Sequence, residues 1–108
     1  MGTAISPDGR FEWDENKNIL NKEDHGFYFE EILALFDDPF FLEAYDRDHS
    51  GLDEIRMKGI ASFDRRIYFF LSYTERGERI RIISARLAEP HERKYYDENH
   101  WKQIVGHE

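Results

Sequence analysis

The most constraining stretch of this sequence is Arg66–Tyr73. It contains Ile67-Tyr68-Phe69-Phe70-Leu71, apolar on both faces, as in a strand that has neighbours on either side. A turn, Glu75-Arg76-Gly77-Glu78, follows it. Arg79–Arg86 reads as the next strand, so the two form a hairpin. The rest of the chain has to supply the remaining sheet and its cover.

Ahead of the hairpin, Phe40–Tyr45 is short and aromatic-rich and Glu54–Ile60 alternates loosely, as strands do. Phe11-Glu12-Trp13 fits a short first strand. Asp14 stands at a helix N-cap position with Glu15 in the first turn, and a helix through Ile19 and Leu20 stops near His25, where Gly26 can take the left-handed position. Ile32, Leu33 and Phe36 predict a second helix over Phe29–Phe36, ended by Asp37-Asp38-Pro39. Pro90 suits the first turn of a final helix, Pro90–Glu98, continuing toward Trp101 and Ile104. Helices at both ends and consecutive strands between predict an α+β fold: two N-terminal helices and one C-terminal helix packed on a small antiparallel β-sheet. Residues 1–10 read as a flexible lead and 11–108 as a single domain. Trp13, Phe27, Phe29 and Phe36 are expected in the core, and His91, His100 and His107 at the surface.

The chain has 108 residues, 40% hydrophobic and 16% aromatic, enough for one core. It has no cysteine, which excludes disulfides, thiolate catalysis and cysteine-based zinc sites. Met1–Arg10 has neither the basic nor the apolar region of a signal peptide, and no apolar run nears the roughly 20 residues of a membrane span. The protein is expected in the cytoplasm, with no membrane contact. Phosphate-loop, Gly-x-Ser-x-Gly and His-Glu-x-x-His motifs are absent, which leaves nucleotide-dependent enzymes, serine hydrolases and zincins without support. Asp46, Asp48 and His49 fit no metal-ligand spacing, and turn chemistry explains their loop. No metal and no cofactor is expected.

The net charge is −8, which argues against generic nucleic-acid binding. The charge is unevenly placed, however. Residues 1–54 hold four basic against 15 acidic side chains, and residues 55–108 hold eleven against eight. Arginines concentrate on the hairpin at Arg76, Arg79, Arg81 and Arg86, and arginine's planar fork suits phosphate. Strand parity puts Arg79 and Arg81 on one face and Ile80 and Ile82 on the other. Ser84 and Arg86 then fall with the isoleucines unless the pattern slips near Ile82-Ile83. A β-bulge there would gather Arg79, Arg81, Ser84 and Arg86; without one, Arg86 faces the other way or lies past the strand end.

An ordered set of motifs resembles the BrnT family. It opens with Phe11-Glu12-Trp13-Asp14, Lys17, Asn21, His25-Gly26, Phe29-Glu30-Glu31 and Phe36-Asp37-Asp38-Pro39. His49-Ser50, Glu54, Arg56, Gly59 and Tyr73-Thr74-Glu75-Arg76 follow. The most specific piece is Arg79-Ile80-Arg81-Ile82-Ile83-Ser84-Ala85-Arg86, with Ala88, Glu92, Arg93 and Tyr96 after it. The resemblance implies a RelE-like fold and a ribonuclease toxin of a type II toxin–antitoxin module. It also implies a ribbon-helix-helix antitoxin (BrnA-like), two with two toxins, that binds operator DNA as the complex. Three positions depart from the family's pattern. Asp24 stands where a basic residue usually precedes His-Gly, Tyr28 replaces Ser or Thr, and Pro90–Lys94 is poorer in arginine.

Metal-independent RNA cleavage needs a base at the 2′-hydroxyl, an acid at the leaving 5′-oxygen and cations on the phosphorane. His25 suits a proton-transfer role, or it caps its helix through the dipole. Arg81 and Arg86 are the candidates for stabilising the phosphorane, or they pair with Glu75, Glu78 or Glu92. Tyr73 could orient RNA or belong to the core. Glu54 could be the base or a partner of Arg56 or Lys58. Arg79, Ser84 and Lys22 complete the set as contacts to RNA phosphate. Loss of basic character at the three departures suggests an alternative: a catalytically weakened toxin fold acting only as antitoxin-binding partner or co-repressor.

Overall fold

The computed structural model describes residues 2–105. Six strands form one sheet in the order β1-β2-β6-β5-β4-β3. They are β1 (Thr3–Ile5), β2 (Phe11–Asp14), β3 (Leu42–Tyr45), β4 (Arg56–Phe63), β5 (Ile67–Arg76) and β6 (Arg79–Leu87). Two α-helices accompany them, α1 (Glu15–His25) and α2 (Pro90–Val105). β5 lies inside the sheet, paired on both sides, as its two-faced apolar run requires.

The sheet is larger than expected and mixed, because β2 runs parallel to β6, Phe11 beside Ile80 and Trp13 beside Ile82. Every other pairing is antiparallel. The parallel pair joins the start of the chain to its last strand, a long-range closure that no local pattern encodes. It seats Phe11 and Trp13 in the same buried layer as Ile82.

The lead expected to be flexible over residues 1–10 contains β1, antiparallel to β2. The turn between them is locally bonded. Ser6 Oγ donates to Asp8 at 2.7 Å and accepts the Phe11 N–H at 3.0 Å, and Gly9 takes φ 76°. Strand pairing and side-chain hydrogen bonds order this segment, where an apolar pattern is lacking.

Only one α-helix precedes β3. In place of the second, Phe29–Glu31 and Leu33–Asp37 are 3₁₀ turns. Phe29, Ile32 and Leu35 are fully buried. Their spacing is three, the 3₁₀ period, and not the 3.6 of an α-helix. These rings and aliphatics cover one face of the sheet, packing with Phe69, Leu71, Tyr73 and Ala85.

α1 begins and ends where its caps predict. The Asp14 side chain accepts the Lys17 N–H, and Gly26 adopts φ 88°. Its inward face is polar, however: Asn18 and Asn21 are its buried residues, while Ile19 and Leu20 are exposed. Asn21 donates to the carbonyl of Ala85 at 2.9 Å and accepts the Ala85 N–H at 3.0 Å. β2 accompanies β6 only as far as Ile82, so the Asn21 amide continues the ladder where the strand has ended. Asn18 accepts the Phe29 N–H and donates to Glu30, tying the helix to the 3₁₀ segment.

α2 crosses the other face near the far ends of β4 and β5. Tyr96 is buried there, donating to Asp38 at 2.6 Å and accepting from Ser62. His100, expected at the surface, is buried with its ring 3.8 Å from that of Phe40. His91 is exposed, and His107 lies outside the described residues.

Candidate active site

Beyond α2, one face of the sheet is left open, and its composition follows from the ladder. Ser72 of β5 opposes Ser84 of β6, but Tyr73 opposes Ile82, so Ile83 is an extra residue on β6. This bulge reverses the strand's parity. Ile80, Ile82 and Ala85 all face the core, and Arg79, Arg81, Ser84 and Arg86 all face the open side. The neighbouring strands complete three rungs. Arg56, Thr74, Arg81 and Glu12 lie in one; Lys58, Ser72 and Ser84 in the next; Ile60, Phe70 and Arg86 in the third.

The two central arginines are each gripped by a carboxylate. Arg81 donates to Glu12 at 2.5 Å, in a pair where both side chains are largely withdrawn from water. Arg86 meets Glu92 of α2 with two parallel bonds, 2.8 and 3.0 Å, and lies over the Phe70 ring at 4.3 Å. The bond to Glu92 raises the Arg86 pKa further above its ordinary value, against the opposing effect of burial. For Glu92, burial pushes upward, but the Arg86 fork and the Glu89 N–H prevail and hold the carboxyl below its usual range. The Nε atoms of Arg56, in the first rung, and of Arg79, two residues before Arg81 on β6, are buried without a hydrogen-bond partner among the described residues.

The other expected residues are more scattered. Tyr73 lies on the opposite, core face against Phe36 and Phe41, and its hydroxyl donates to Glu43. Burial, then that bond, pushes its pKa far above the ordinary tyrosine value, so this hydroxyl stays protonated. Glu54 precedes β4 and pairs with Arg56 at 3.4 Å. His25 is exposed in the last turn of α1, four residues after Asn21. Asn21 of the same helix is bonded to the Ala85 backbone, and just after His25 the chain turns to the core face, where Phe27 packs on Phe69. Lys22 donates to the Gly26 carbonyl and lies over the Tyr28 ring, 5.2 Å away. His49 bonds Asp46 within its loop, and no group of three metal-ligating side chains occurs among the described residues.

Sequence reasoning gave Glu12 no role and named Arg56 and Lys58 only as candidate partners of Glu54, a pairing the structure shows for Arg56. The alternation in Arg56-Met57-Lys58 was the available signal for these two; Glu12 had none, since its partner is 69 residues away.

A family model described as "Ribonuclease toxin, BrnT, of type II toxin-antitoxin system" matches residues 13–92, most of the chain. The chain belongs to the BrnT family. A crystal structure of the Brucella abortus ribonuclease toxin BrnT shares the fold at TM-score 0.54 and 25% identity, over 71% of this chain and 92% of that one. No curated protein matches. Membership in the BrnT family brings with it an antitoxin partner and supports ribonuclease activity. The match ends at Glu92, the residue that clasps Arg86.

Proposed function

We propose that this chain is an endoribonuclease toxin whose open sheet face cleaves RNA without a metal ion. The observation that carries this reading is the bulge at Ile83, which gathers Arg79, Arg81, Ser84 and Arg86 beside Lys58. Arg81 and Arg86 stabilise the charge that develops on the phosphorane oxygens as the 2′-oxygen attacks. Ser84 hydrogen-bonds the phosphate, and Arg79 and Lys22 hold flanking phosphates. His25, exposed in the last turn of α1, serves proton transfer in this reading. Tyr73 supports the sheet from the core, and Glu54 acts on the site through Arg56.

The antitoxin in this reading is a ribbon-helix-helix protein, two with two toxins, and operator DNA is contacted through it. The experiment is expression of the chain alone and with the adjacent gene, scoring growth and RNA integrity, followed by purified chain on RNA with a chelator present. Growth arrest and chelator-resistant cleavage, both lost in Arg81→Ala and Arg86→Ala, support the proposal. Toxicity that survives both substitutions removes the site assignment.

One observation favours a second reading. Arg81 and Arg86 are already engaged by Glu12 and Glu92, and an RNA phosphate has to compete with those carboxylates. A toxin fold that binds its antitoxin without cleaving RNA fits this arrangement. Unimpeded growth on expression of the folded chain alone would select it.

A further inference from the structure

Beside the arginines, the open face has a groove of about 340 Å³ between the sheet and α2. Leu42, Ile60 and Phe70 form its apolar floor, and Lys58, His91 and Tyr95 stand at its rim. The groove is continuous with the proposed phosphate site. Phe70 is the ring on which Arg86 lies, and Glu92, which clasps Arg86, also lines the groove. Lys58 shares a rung with Ser84.

We infer that this groove is a subsite for one unpaired nucleobase of the RNA, the base attached to the nucleotide next to the phosphate held by Arg86. The inference rests on the ribonuclease reading. Three features select this occupant. The volume suits a small planar group. Apolar walls and an aromatic ring with donors and acceptors at the rim are what an unstacked base requires, stacking on its faces and hydrogen bonding along its edge. A line of three cations and a hydroxyl leading into the groove, Arg81, Lys58, Arg86 and Ser84, follows a phosphate backbone, which a protein side chain does not carry. Sequence preference in cleavage therefore arises at Leu42, Ile60, Phe70 and Tyr95, and the arginines act on any sequence.

Two substitutions leave the arginines and their carboxylates intact. Ala44→Phe fills the groove from an exposed position on β3, and Tyr95→Ala opens its rim from an exposed position on α2. Cleavage positions are mapped on a mixed-sequence single-stranded RNA for the full-length chain and both variants. The expected result is continued cleavage with the preference at one nucleotide changed by about fivefold or more, the scale of one lost stacking contact. Cleavage with unchanged preference overturns the inference. So does unchanged preference accompanied by weakened antitoxin binding, which would give the groove to a protein side chain.

Should the unmodified chain cleave no RNA, the ribonuclease reading fails by itself and a binding measurement decides the subsite. The four nucleoside 5′-monophosphates are titrated against ribose 5-phosphate, following the Ile60 methyl and Phe70 ring resonances. Shifts produced by a base-bearing nucleotide and not by ribose 5-phosphate uphold the subsite. Equal or absent shifts overturn it.

Discussion

Arg86 and Glu92 form a two-pronged ion pair across the junction between β6 and α2, and the same carboxylate accepts the Glu89 N–H at the start of the helix. One side chain thus caps a helix and fixes a cation of the proposed site. Glu92→Gln removes the charge that both partners use and should destabilise the fold by about 2 kcal/mol. Since the folded state holds the Glu92 carboxyl below its ordinary 4.5, this contribution is present above that pH and is lost as pH falls through the folded value. Urea denaturation between pH 3 and 7 should therefore give a shallower acid limb for Glu92→Gln than for the unmodified chain.

The Arg81–Glu12 pair predicts a different signature. Arg81→Ala leaves a buried carboxylate without its counter-ion and should cost about 3 kcal/mol. Arg81→Met combined with Glu12→Gln should recover most of that loss while RNA cleavage stays abolished. Thermal melts and cleavage assays on the single and double variants separate the two effects.

Asn21 stands in for a missing strand. Asn21→Ala leaves both the N–H and the C=O of Ala85 without partners, a loss of about 2–3 kcal/mol. Faster hydrogen exchange at Ala85 should accompany it, with little change at residues along β4.

Gly59 has no room for a side chain. A Cβ there would collide with the Phe41 ring, which is stacked on Phe36. Gly59→Ala should therefore destabilise by about 1–3 kcal/mol through overpacking, measurable as a lowered denaturation midpoint.

The elements legible in the sequence are those whose information is local. The caps at Asp14 and Gly26, the two-faced apolar run in β5 and the Glu75–Glu78 turn each dictate their own geometry. The slip from Ile80/Ile82 to Ser84/Arg86 left two explanations, a bulge or an irregular strand end, and the strand pairing shows the bulge. Phe29–Asp37 misled, since a spacing of three is close to helical spacing and Leu33 and Phe36 are also apolar. The parallel β2–β6 pair, the strand Thr3–Ile5 and the Glu12–Arg81 contact depend on residues far apart in the chain, and no window of sequence contains both partners. The proposed arginine face was readable for the same reason as the hairpin: it lies on one strand.

The parallel closure of β2 on β6 has a consequence for synthesis. Glu12 is synthesised 69 residues before its partner Arg81, and Phe11 likewise precedes Ile80. Contacts of such sequence separation form late and slowly. Until β6 has been made, neither Arg81 nor Arg86 exists in the nascent chain, and the edge of the sheet that seats them has no neighbour. Among the described strands β6 is the last to be made, so the proposed arginine face stays incomplete until the other five strands of the sheet have been synthesised.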